Sequence, residues 1–302
     1  MLDYPSLEAL AAVVREGSFE RAAQALHVTP SAISQRVKLL EERLGRVLVL
    51  RGQPCAATEA GRQLCRHVEQ VGLLEHGLRQ ALPGVLPEPD AGERATLRVA
   101  VNADSLGGWF MEAARRFTEG GTELLDISLD DQDHTAQWLR SGEVLAAVTA
   151  TPKPVQGCNS VALGHMAYVA AASPAYVQRH FAKGVDQQSL AHAPVLVFNQ
   201  KDLLQKQWLD QHFGAGLKPP RHWFPATQAF IDAGLAGIGW GMHPVELVAP
   251  HLASGTLVAL RPDATLHVAL HWQHVRVALP ALQRLTRDVR AAARAIQRVP
   301  GA

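Results

Sequence analysis

The sequence predicts an α/β protein with an all-α winged helix-turn-helix at its N-terminus. The first segment shows only helical periodicity, two short strand-like runs follow it, and strand and helix patterns alternate from Thr96 onward. A Pro- and Gly-rich stretch, PGVLPEPDAGE, separates the two regions. We therefore assign residues 1–58 to the winged helix-turn-helix, 59–82 to a linker helix, 83–94 to a hinge linker and 95–302 to a second domain.

Composition restricts the class of protein. The 302 residues are enough for two domains, and the net charge of +1 means that any nucleic-acid contact depends on basic residues concentrated locally. Cys55, Cys65 and Cys158 lack disulfide or metal-motif spacing, which favours a reducing compartment. With no signal peptide and no apolar run of membrane-spanning length, we expect a cytoplasmic protein without a membrane partner.

The N-terminal helices carry their own start and stop signals. The segment PSLEALAAVVREG forms one apolar face and stops at Gly17, and Ser18 is placed to cap a second, Ala-rich helix. After a tight turn, Thr29 is a good N-cap for a third helix and Pro30 fits its first turn. The pattern predicts one buried stripe on the third helix, formed by Ile33, Val37, Leu40 and Leu44.

The opposite face of the third helix is suited to docking on DNA. It offers short polar groups for base edges and cations for phosphates. The candidate DNA-binding residues are Thr29, Pro30, Ser31, Ser34, Gln35, Arg36, Lys38 and Arg51. Arg51 lies in RVLVLRGQPCAAT, which predicts two short strands around a turn, and is a candidate for the minor groove. The alternative is a small helical subdomain with a merely solvated face.

Thr58 is placed to cap the long helix that follows it, and this helix has an apolar seam. Leu64, Val68, Val71, Leu74 and Leu78 recur at steps of three and four residues. A single helix with such a seam usually pairs with its twin, so we expect a homodimer.

The second domain alternates strands and helices, which predicts a parallel, helix-flanked sheet that is large enough to split into two lobes. The segment SLGGWFMEAARRFTE is predicted as a single helix beginning at Ser105. Ligands of such sheets lie beyond the carboxyl ends of strands, often at helix N-termini.

Polar residues follow several of these predicted strands. Acidic groups among them suit an ammonium or guanidinium ligand, and Ser105 at a helix start suits a carboxylate. The candidate ligand-binding residues are Asn102, Asp104, Ser105, Asp130, Asp131, Thr149, Asn199, Asp202 and Thr227. The alternative for each one is a helix cap or a solvated loop residue.

Signatures of enzymes and bound cofactors fail on inspection. His271 and His274 lie in a strand-like stretch where residues three apart point to opposite faces, which argues against a metal site. GLAGIGWG lacks the residues of a phosphate or dinucleotide loop, and no nucleophile motif occurs. We therefore expect no catalytic residues, no metal and no cofactor. An enzyme fused to a DNA-binding module would require a catalytic constellation that we do not find.

FERAAQALHVTPSAISQRVKLLEERLG, with VLVLR and TEAGRQL after it, resembles the DNA-binding domain of LysR-type transcriptional regulators. The resemblance continues through LRVAVNADSLGGWF, YVAAASPAYVQRHF and LASGTLVAL. In these segments the sequence is similar to the branch of the family that regulates arginine and lysine exporters, whose members are also called chromosome initiation inhibitors. It implies an effector domain of two α/β lobes similar to type 2 periplasmic binding proteins, with lobe I at about 95–165 and 268–302 and lobe II at about 166–267.

The resemblance also implies function and partners. The expected protein is a homotetramer built as a dimer of dimers that binds double-stranded promoter DNA, contacts RNA polymerase and responds to lysine or arginine at an amino-acid exporter gene. The alternative within the branch is a ligand-independent architectural DNA binder that inhibits DNA opening. The sequence departs from close relatives at Ala226, Thr227 and Gln228, where a Ser/Ser/Glu-like arrangement is expected and the acid would help to hold a cationic ligand.

Overall fold

A computed structural model describes residues 2–85, 94–130 and 135–296, and divides the chain into two compact units, Met1–Thr96 and Leu97–Ala302. The elements of the first unit are α1 (Tyr4–Glu16), α2 (Phe19–Ala25), α3 (Pro30–Leu44), β1 (Val49–Leu50), β2 (Ala56–Ala57) and α4 (Glu59–Ala81). Strands β1 and β2 pair antiparallel and form the wing. In the described part of the chain, no helix has the length and apolar character needed to cross a bilayer.

The predicted caps of the first unit are confirmed. Gly17 ends α1 with φ of 68°, a left-handed conformation that glycine adopts without strain. The side chains of Ser18, Thr29 and Thr58 accept hydrogen bonds from the first turns of α2, α3 and α4. These caps satisfy backbone N–H groups that a helix cannot satisfy internally, so the boundaries of the three helices are set locally.

The core of the first unit joins its helices. Ile33, Val37 and Leu40 of α3 are buried with Leu7 and Leu10 of α1. The prediction for Leu44 is wrong. Leu44 is 40% exposed because it is the last residue of α3 and lies beyond the three positions that pack in the core of the first unit.

The seam of α4 divides into two parts. Leu64 and Val68 pack against the core of the first unit, whereas Leu74 and Leu78 are 45% and 49% exposed. Leu82, immediately after the helix, is also exposed. The end of α4 therefore leaves large apolar side chains uncovered within this chain.

The second unit holds the remaining elements. They are β3 (Thr96–Asn102), α5 (Ala103–Gly107), α6 (Phe110–Glu119), β4 (Leu124–Asp130), α7 (Thr135–Ser141), β5 (Ala146–Thr149), β6 (Cys158–Ala172), α8 (Pro174–His180), α9 (Gln187–His192), β7 (Val195–Val197), α10 (Leu204–Phe213), β8 (Arg221–Trp223), α11 (Thr227–Leu235), β9 (Gly241–Pro244), α12 (Val245–Ser254), β10 (Val258–Ala259), β11 (Leu266–Val275) and α13 (Pro280–Ala292), which continues as a 3-10 turn, Ala293–Ala295. The prediction of one helix from Ser105 is wrong. Helix α5 begins at Ala103, and the helical conformation is interrupted at Gly108 before α6 begins.

The main sheet is mixed, which corrects the prediction of a parallel sheet. Its strand order is β10-β6-β11-β5-β3-β4, with β9 also paired to β6. Strands β3 and β5 pair parallel, but the long strands β6 and β11 pair antiparallel along ten registered positions. The alternation of strands and helices did not reveal this pairing, because β6 and β11 are about a hundred residues apart in sequence.

The two long strands connect two lobes. His271–His274 of β11 pair with β5 at one end, and Tyr168–Ala171 of β6 pair with β9 at the other. The register shifts between Leu270 and His271, opposite Leu163. Gly164, next to this bulge, has φ of 133°, which favours glycine. The sequence-based lobe boundaries at 165/166 and 267/268 fall inside these two strands.

Helix α13 is fixed to the first lobe by a buried ion pair. The Arg284 guanidinium bonds the carboxylate of Glu123, which is 2% exposed, and lies 4.6 Å from the centre of the Phe117 ring. A Cβ on Gly121 would overlap both charged groups, so this position has room only for glycine. The exposed face of α13 is therefore held in a defined orientation.

Candidate nucleic-acid interface and ligand cleft

The polar face of α3 is presented to solvent as the sequence predicts. Thr29, Pro30, Ser31, Gln35 and Lys38 are exposed, and Ser34 and Arg36 are half-buried. The Thr29 hydroxyl accepts a hydrogen bond from the Ala32 N–H at 3.3 Å, so it helps to fix the start of the helix. Lys38 lies 3.6 Å from Glu42 in an exposed ion pair that a phosphate can replace at small cost.

Arg51 lies directly after the first strand of the wing. Its guanidinium carbon is 5.1 Å from the centre of the Phe19 ring, in cation–π geometry. Phe19 is the first residue of α2, so the wing arginine is held beside the helix-turn-helix. The exposed candidates of α3 and the wing arginine therefore belong to one segment, residues 29–51.

A cleft in the second unit is lined by residues of both lobes and by Val268 of β11. Two carboxylates, two side-chain amides and a hydroxyl are set among apolar walls, and none of the described residues that line the cleft is Lys, Arg or His. The lining residues are Asn102, Ala103, Asp104, Phe198, Asp202, Leu203, Leu204, Gln207, Thr227, Phe230, Ile231, Met242, Pro244 and Val268. Apolar walls lower the local dielectric, so this net negative cleft suits a cation with an aliphatic stem.

Asp104 is oriented by a residue of the long strand. The fully buried Tyr168 of β6 donates its hydroxyl hydrogen to Oδ2 of Asp104 at 2.9 Å. This charge-assisted bond fixes one carboxylate oxygen and leaves the group able to accept further hydrogen bonds. Asn102, 2% exposed, lines the cleft beside it at the end of β3.

Asp202 is the second carboxylate of the cleft and is half-buried. Its Oδ2 accepts hydrogen bonds from the Phe198 N–H and from the Gln205 amide, each at 3.0 Å, and its Oδ1 accepts from the Leu204 N–H at 3.0 Å. Asp202 therefore caps the start of α10 and closes the preceding loop. Its charge faces the cleft from the second lobe.

Thr227 lines the cleft as the first residue of α11. No side chain among the described residues caps the start of this nine-residue helix. Its first N–H groups and positive dipole end therefore remain for an anionic group. The cleft thus combines two carboxylates with a helix N-terminus, which suits a ligand carrying both cationic groups and a carboxylate.

Gln228 is directed elsewhere. Its side chain is exposed and donates to Oδ1 of Asp232 at 2.9 Å, one turn along α11, and it does not line the cleft. Of the three positions at which the sequence departs from its close relatives, Thr227 therefore lines the cleft, whereas Ala226 and Gln228 do not.

Three other predicted residues lie away from the cleft lining. Ser105 is fully buried and accepts a hydrogen bond from the Trp109 indole at 3.1 Å, so it joins α5 to α6. Thr149 is buried and accepts from the Thr151 N–H at 3.1 Å. Asn199 accepts from the backbone N–H groups of Lys201 and Asp202, so it shapes the loop that presents Asp202.

The two acidic candidates after β4 cannot be placed in the cleft. Asp130 ends that strand, but its side chain lies outside the described part of the molecule, and so does all of Asp131. They remain predictions from the sequence.

Sequence reasoning missed most of the apolar wall and the Tyr168 contact. Phe230 and Met242 lie in segments that read only as helix and strand, and nothing local distinguishes them from core residues. Glu246, in the first turn of α12, lies close to Gly108 and is not part of the cleft lining. Partial burial raises its pKa, and a Cβ on Gly108 would be 3.4 Å from its Oε2. A signal for Tyr168 would have required knowledge that β6 passes Asp104.

Comparisons with known proteins agree with this architecture. Residues 5–62 match the family model of bacterial regulatory helix-turn-helix proteins of the lysR family, and residues 90–298 match the LysR substrate binding domain. Together the two models cover the helix-turn-helix with its wing and the two-lobed unit with the cleft.

Individual relatives are similar over nearly the whole chain. The transcriptional regulator LysG of Mycobacterium tuberculosis strain H37Rv is 43% identical over 297 residues, covering 98% of this chain and 95% of the relative. The crystal structure of ArgP from Mycobacterium tuberculosis superimposes with a TM-score of 0.83 at 43% identity, covering 99% of each chain. Full-length LysG of Corynebacterium glutamicum with bound effector arginine superimposes with a TM-score of 0.71 at 36% identity, covering 97% of this chain and 99% of the other.

Proposed function

The chain belongs to the LysR family of bacterial helix-turn-helix transcriptional regulators, and we propose that its effector is a basic amino acid, lysine or arginine, bound in the cleft between the lobes. The observation that carries the proposal is the cleft chemistry. Asp104 and Asp202 line it, no basic side chain lines it among the residues that the structure describes, and α11 begins at Thr227. The arginine bound by the similar LysG of Corynebacterium glutamicum supports the same class of ligand.

The cleft suggests how each part of the ligand is held. The carboxylates of Asp104 and Asp202 accept from the α-ammonium and side-chain cation, and the α-carboxylate lies at the start of α11. The apolar residues around them cover the aliphatic stem. Because the two acids belong to different lobes, a ligand that bridges them favours one lobe arrangement, and a typical coupling of this kind is about 1–3 kcal/mol.

The polar face of α3 is proposed to enter the major groove of promoter DNA. Ser31, Ser34 and Gln35 reach base edges, while Arg36, Lys38 and the wing residue Arg51 contact the phosphates and the minor groove. The exposed Leu74 and Leu78 of α4 support pairing with a second copy. A dimer reads half-sites roughly 34–36 Å apart, and two dimers form the proposed homotetramer.

The output is proposed to be regulated transcription of an amino-acid exporter gene in the cytoplasm. Ligand-dependent lobe movement changes DNA bending or contact with RNA polymerase. The resemblance of the chain to its branch of the family supports both the target gene and this mode of output.

The ligand is tested by calorimetric titration of the full chain with lysine and arginine, with leucine and glutamate as controls. We expect saturable binding of at least one basic amino acid and a loss of at least tenfold in affinity for Asp104→Asn, which removes a charge but keeps the shape. Absence of binding to both basic amino acids contradicts the proposal and favours the architectural DNA binder.

The DNA face is tested by measuring DNA affinity as a function of salt concentration. Lys38→Ala is expected to reduce the salt slope by about 1 for one lost phosphate contact, and Gln35→Ala to change base preference. Arg15→Ala is the matched control, because Arg15 is an exposed cation at the end of α1 and outside the α3 face. Unchanged slope and preference in both test variants would refute the assignment of the face.

A further inference from the structure

A second concave surface lies on the first lobe, between α13 and the bulge of β6. It has a volume of about 620 Å³, in the range of small-molecule sites, and Ala162 and Leu163 form one wall. Arg287, Arg290 and Arg294 form the other. We refer to it as the arginine groove. It is separate from the ligand cleft, with which it shares no lining residue.

The three arginines lie on one side of α13 and its 3-10 continuation. Their spacing of three and then four residues places them on one helical face, over a length of roughly 10 Å. The buried pair of Glu123 with Arg284, one turn earlier, holds the helix against the lobe. The arginine row is therefore displayed on a fixed support.

The charge of the groove is almost uncompensated. Arg287 has one long contact, 3.4 Å from its Nε to Oδ1 of Asp288, and its side chain is 73% exposed. Within the described residues, Arg290 and Arg294 form no ion pair with a carboxylate, and the groove lining contains no acidic side chain. The helix dipole favours a cation in the last turn, but it does not account for a row of three along a concave surface.

A neutral donor adds to the arginines. The Thr286 hydroxyl lines the groove and already accepts a hydrogen bond from the indole N–H of the buried Trp272 at 3.0 Å. Because the Thr286 oxygen accepts a hydrogen bond from Trp272, the hydroxyl hydrogen of Thr286 is directed away from Trp272 and can be donated to a ligand. The groove therefore offers several guanidinium donors and one hydroxyl donor.

We propose that the arginine groove binds a small polyanion of the polyphosphate class. Guanidinium groups donate paired hydrogen bonds to phosphate oxygens, and a row about 10 Å long matches a chain of two or three linked phosphates better than a single anion. The groove volume suits a small molecule. The wall formed by Leu163 is the point where β6 and β11 shift register, so the bound anion contacts the connection between the lobes.

The test uses the full chain and inorganic tripolyphosphate, titrated calorimetrically near 0.15 M salt. The groove variant Arg290→Gln/Arg294→Gln removes two charges but keeps polar side chains of good helix propensity at exposed positions, so its fold is expected to be retained and is checked by thermal unfolding. The head variant Arg36→Gln/Lys38→Gln is the matched control, since it removes two cations from α3, which also attracts polyanions.

We expect the groove variant to lose at least tenfold in tripolyphosphate affinity and the head variant to remain within about twofold of the native chain. Tripolyphosphate is expected to bind more tightly than inorganic phosphate in the native chain. Equal affinity of the native chain and the groove variant overturns the proposal, as does loss of binding in the head variant alone. Neither result bears on amino-acid binding, because the cleft residues are unchanged.

Discussion

The DNA-binding face and the ligand cleft are assembled in different ways. The face comes from one continuous segment, residues 29–51, and its helix is capped by its own flanking residue. The cleft collects side chains from Asn102 to Val268, contributed by strands, loops and helices of two lobes. A face built from one helix can change its contacts without changing the fold. A cleft built from distant segments uses the same side chains for binding and for holding those segments in place.

Acidification should produce the largest difference between the two units, because it should lower the stability of the second unit but hardly that of the first. His243 of β9 is fully buried without a hydrogen bond to either ring nitrogen among the described residues, and burial lowers its pKa to about 4. The unfolded chain then binds more protons between pH 6.5 and 4, so the stability of the second unit falls as pH decreases through this window. We expect a loss of roughly 2 kcal/mol from this residue between pH 7 and pH 5.

The stability of the first unit should change little between pH 7 and pH 5. Hydrogen bonds from Ser18 and Arg62 lower the pKa values of the exposed Glu20 and Glu59, so their contribution is lost only below about pH 4.5. Scanning calorimetry at pH 7 and pH 5 measures both transitions. His243→Leu should remove most of the pH dependence of the second unit, whereas the exposed His222→Ala should not. Equal acid sensitivity of both units would contradict this account.

The difference between the regions also explains what the sequence could reveal. Caps, turns and the apolar stripe of α3 are local signals, so the helices and the wing of the first unit were predicted almost completely. The error at Leu44 lies at the last residue of α3, beyond the positions that pack in the core. In the second unit, the strand that ends at Asn102 and the strand that precedes the Asp202 loop were recognisable. The antiparallel pairing of β6 with β11 was not, because it joins residues about a hundred positions apart.

The cleft shows the same limit at the level of side chains. Ser105, Thr149 and Asn199 were candidates because they follow strands, yet each satisfies a neighbouring donor instead of lining the cleft. Tyr168 and Phe230 gave no signal because a buried aromatic residue in a strand or helix has the pattern of an ordinary core residue. Contacts between segments that are distant in sequence decide which polar residues face the cleft.

Asp202→Ala should reveal the double role of a cleft residue. It removes a carboxylate that lines the cleft and leaves the N–H groups of Phe198 and Leu204 without their acceptor. We expect arginine or lysine affinity to fall about 10- to 100-fold and stability to fall by about 1–3 kcal/mol. In the first unit, by contrast, Gln35→Ala at an exposed position of α3 should change the free energy of unfolding by less than about 0.5 kcal/mol.

Asn199→Ala is the matched control for Asp202→Ala. Asn199 accepts two backbone hydrogen bonds in the same loop but does not line the cleft. It should lower stability with a much smaller effect on affinity. If Asn199→Ala weakens binding as much as Asp202→Ala, the Asp202 carboxylate acts only through the loop.

Tyr168→Phe tests the contact that the sequence did not reveal. The substitution removes the hydroxyl that orients Asp104, so we expect affinity for the basic amino acid to fall about 3- to 10-fold, the value of roughly one hydrogen bond. Calorimetric titration measures the change. Tyr176→Phe is the control, because its hydroxyl donates to the Pro194 carbonyl at 2.6 Å and should affect stability alone. Equal binding by both variants and the native chain would show that Asp104 needs no such support.

Gln228 gives the smallest expected effect and the sharpest contrast between sequence and geometry. Its position in FPATQAF marks a departure from the expected acid, but the side chain bonds Asp232 on the outer side of α11. Gln228→Ala should therefore leave arginine and lysine affinities within about twofold, as is usual for exposed positions without a special role. Gln228→Glu would place a second carboxylate beside Asp232 without bringing a charge into the cleft, so it should not tighten binding. A clear gain in affinity for Gln228→Glu would mean that the start of α11 turns toward the ligand when the lobes close, and that this departure weakens the site.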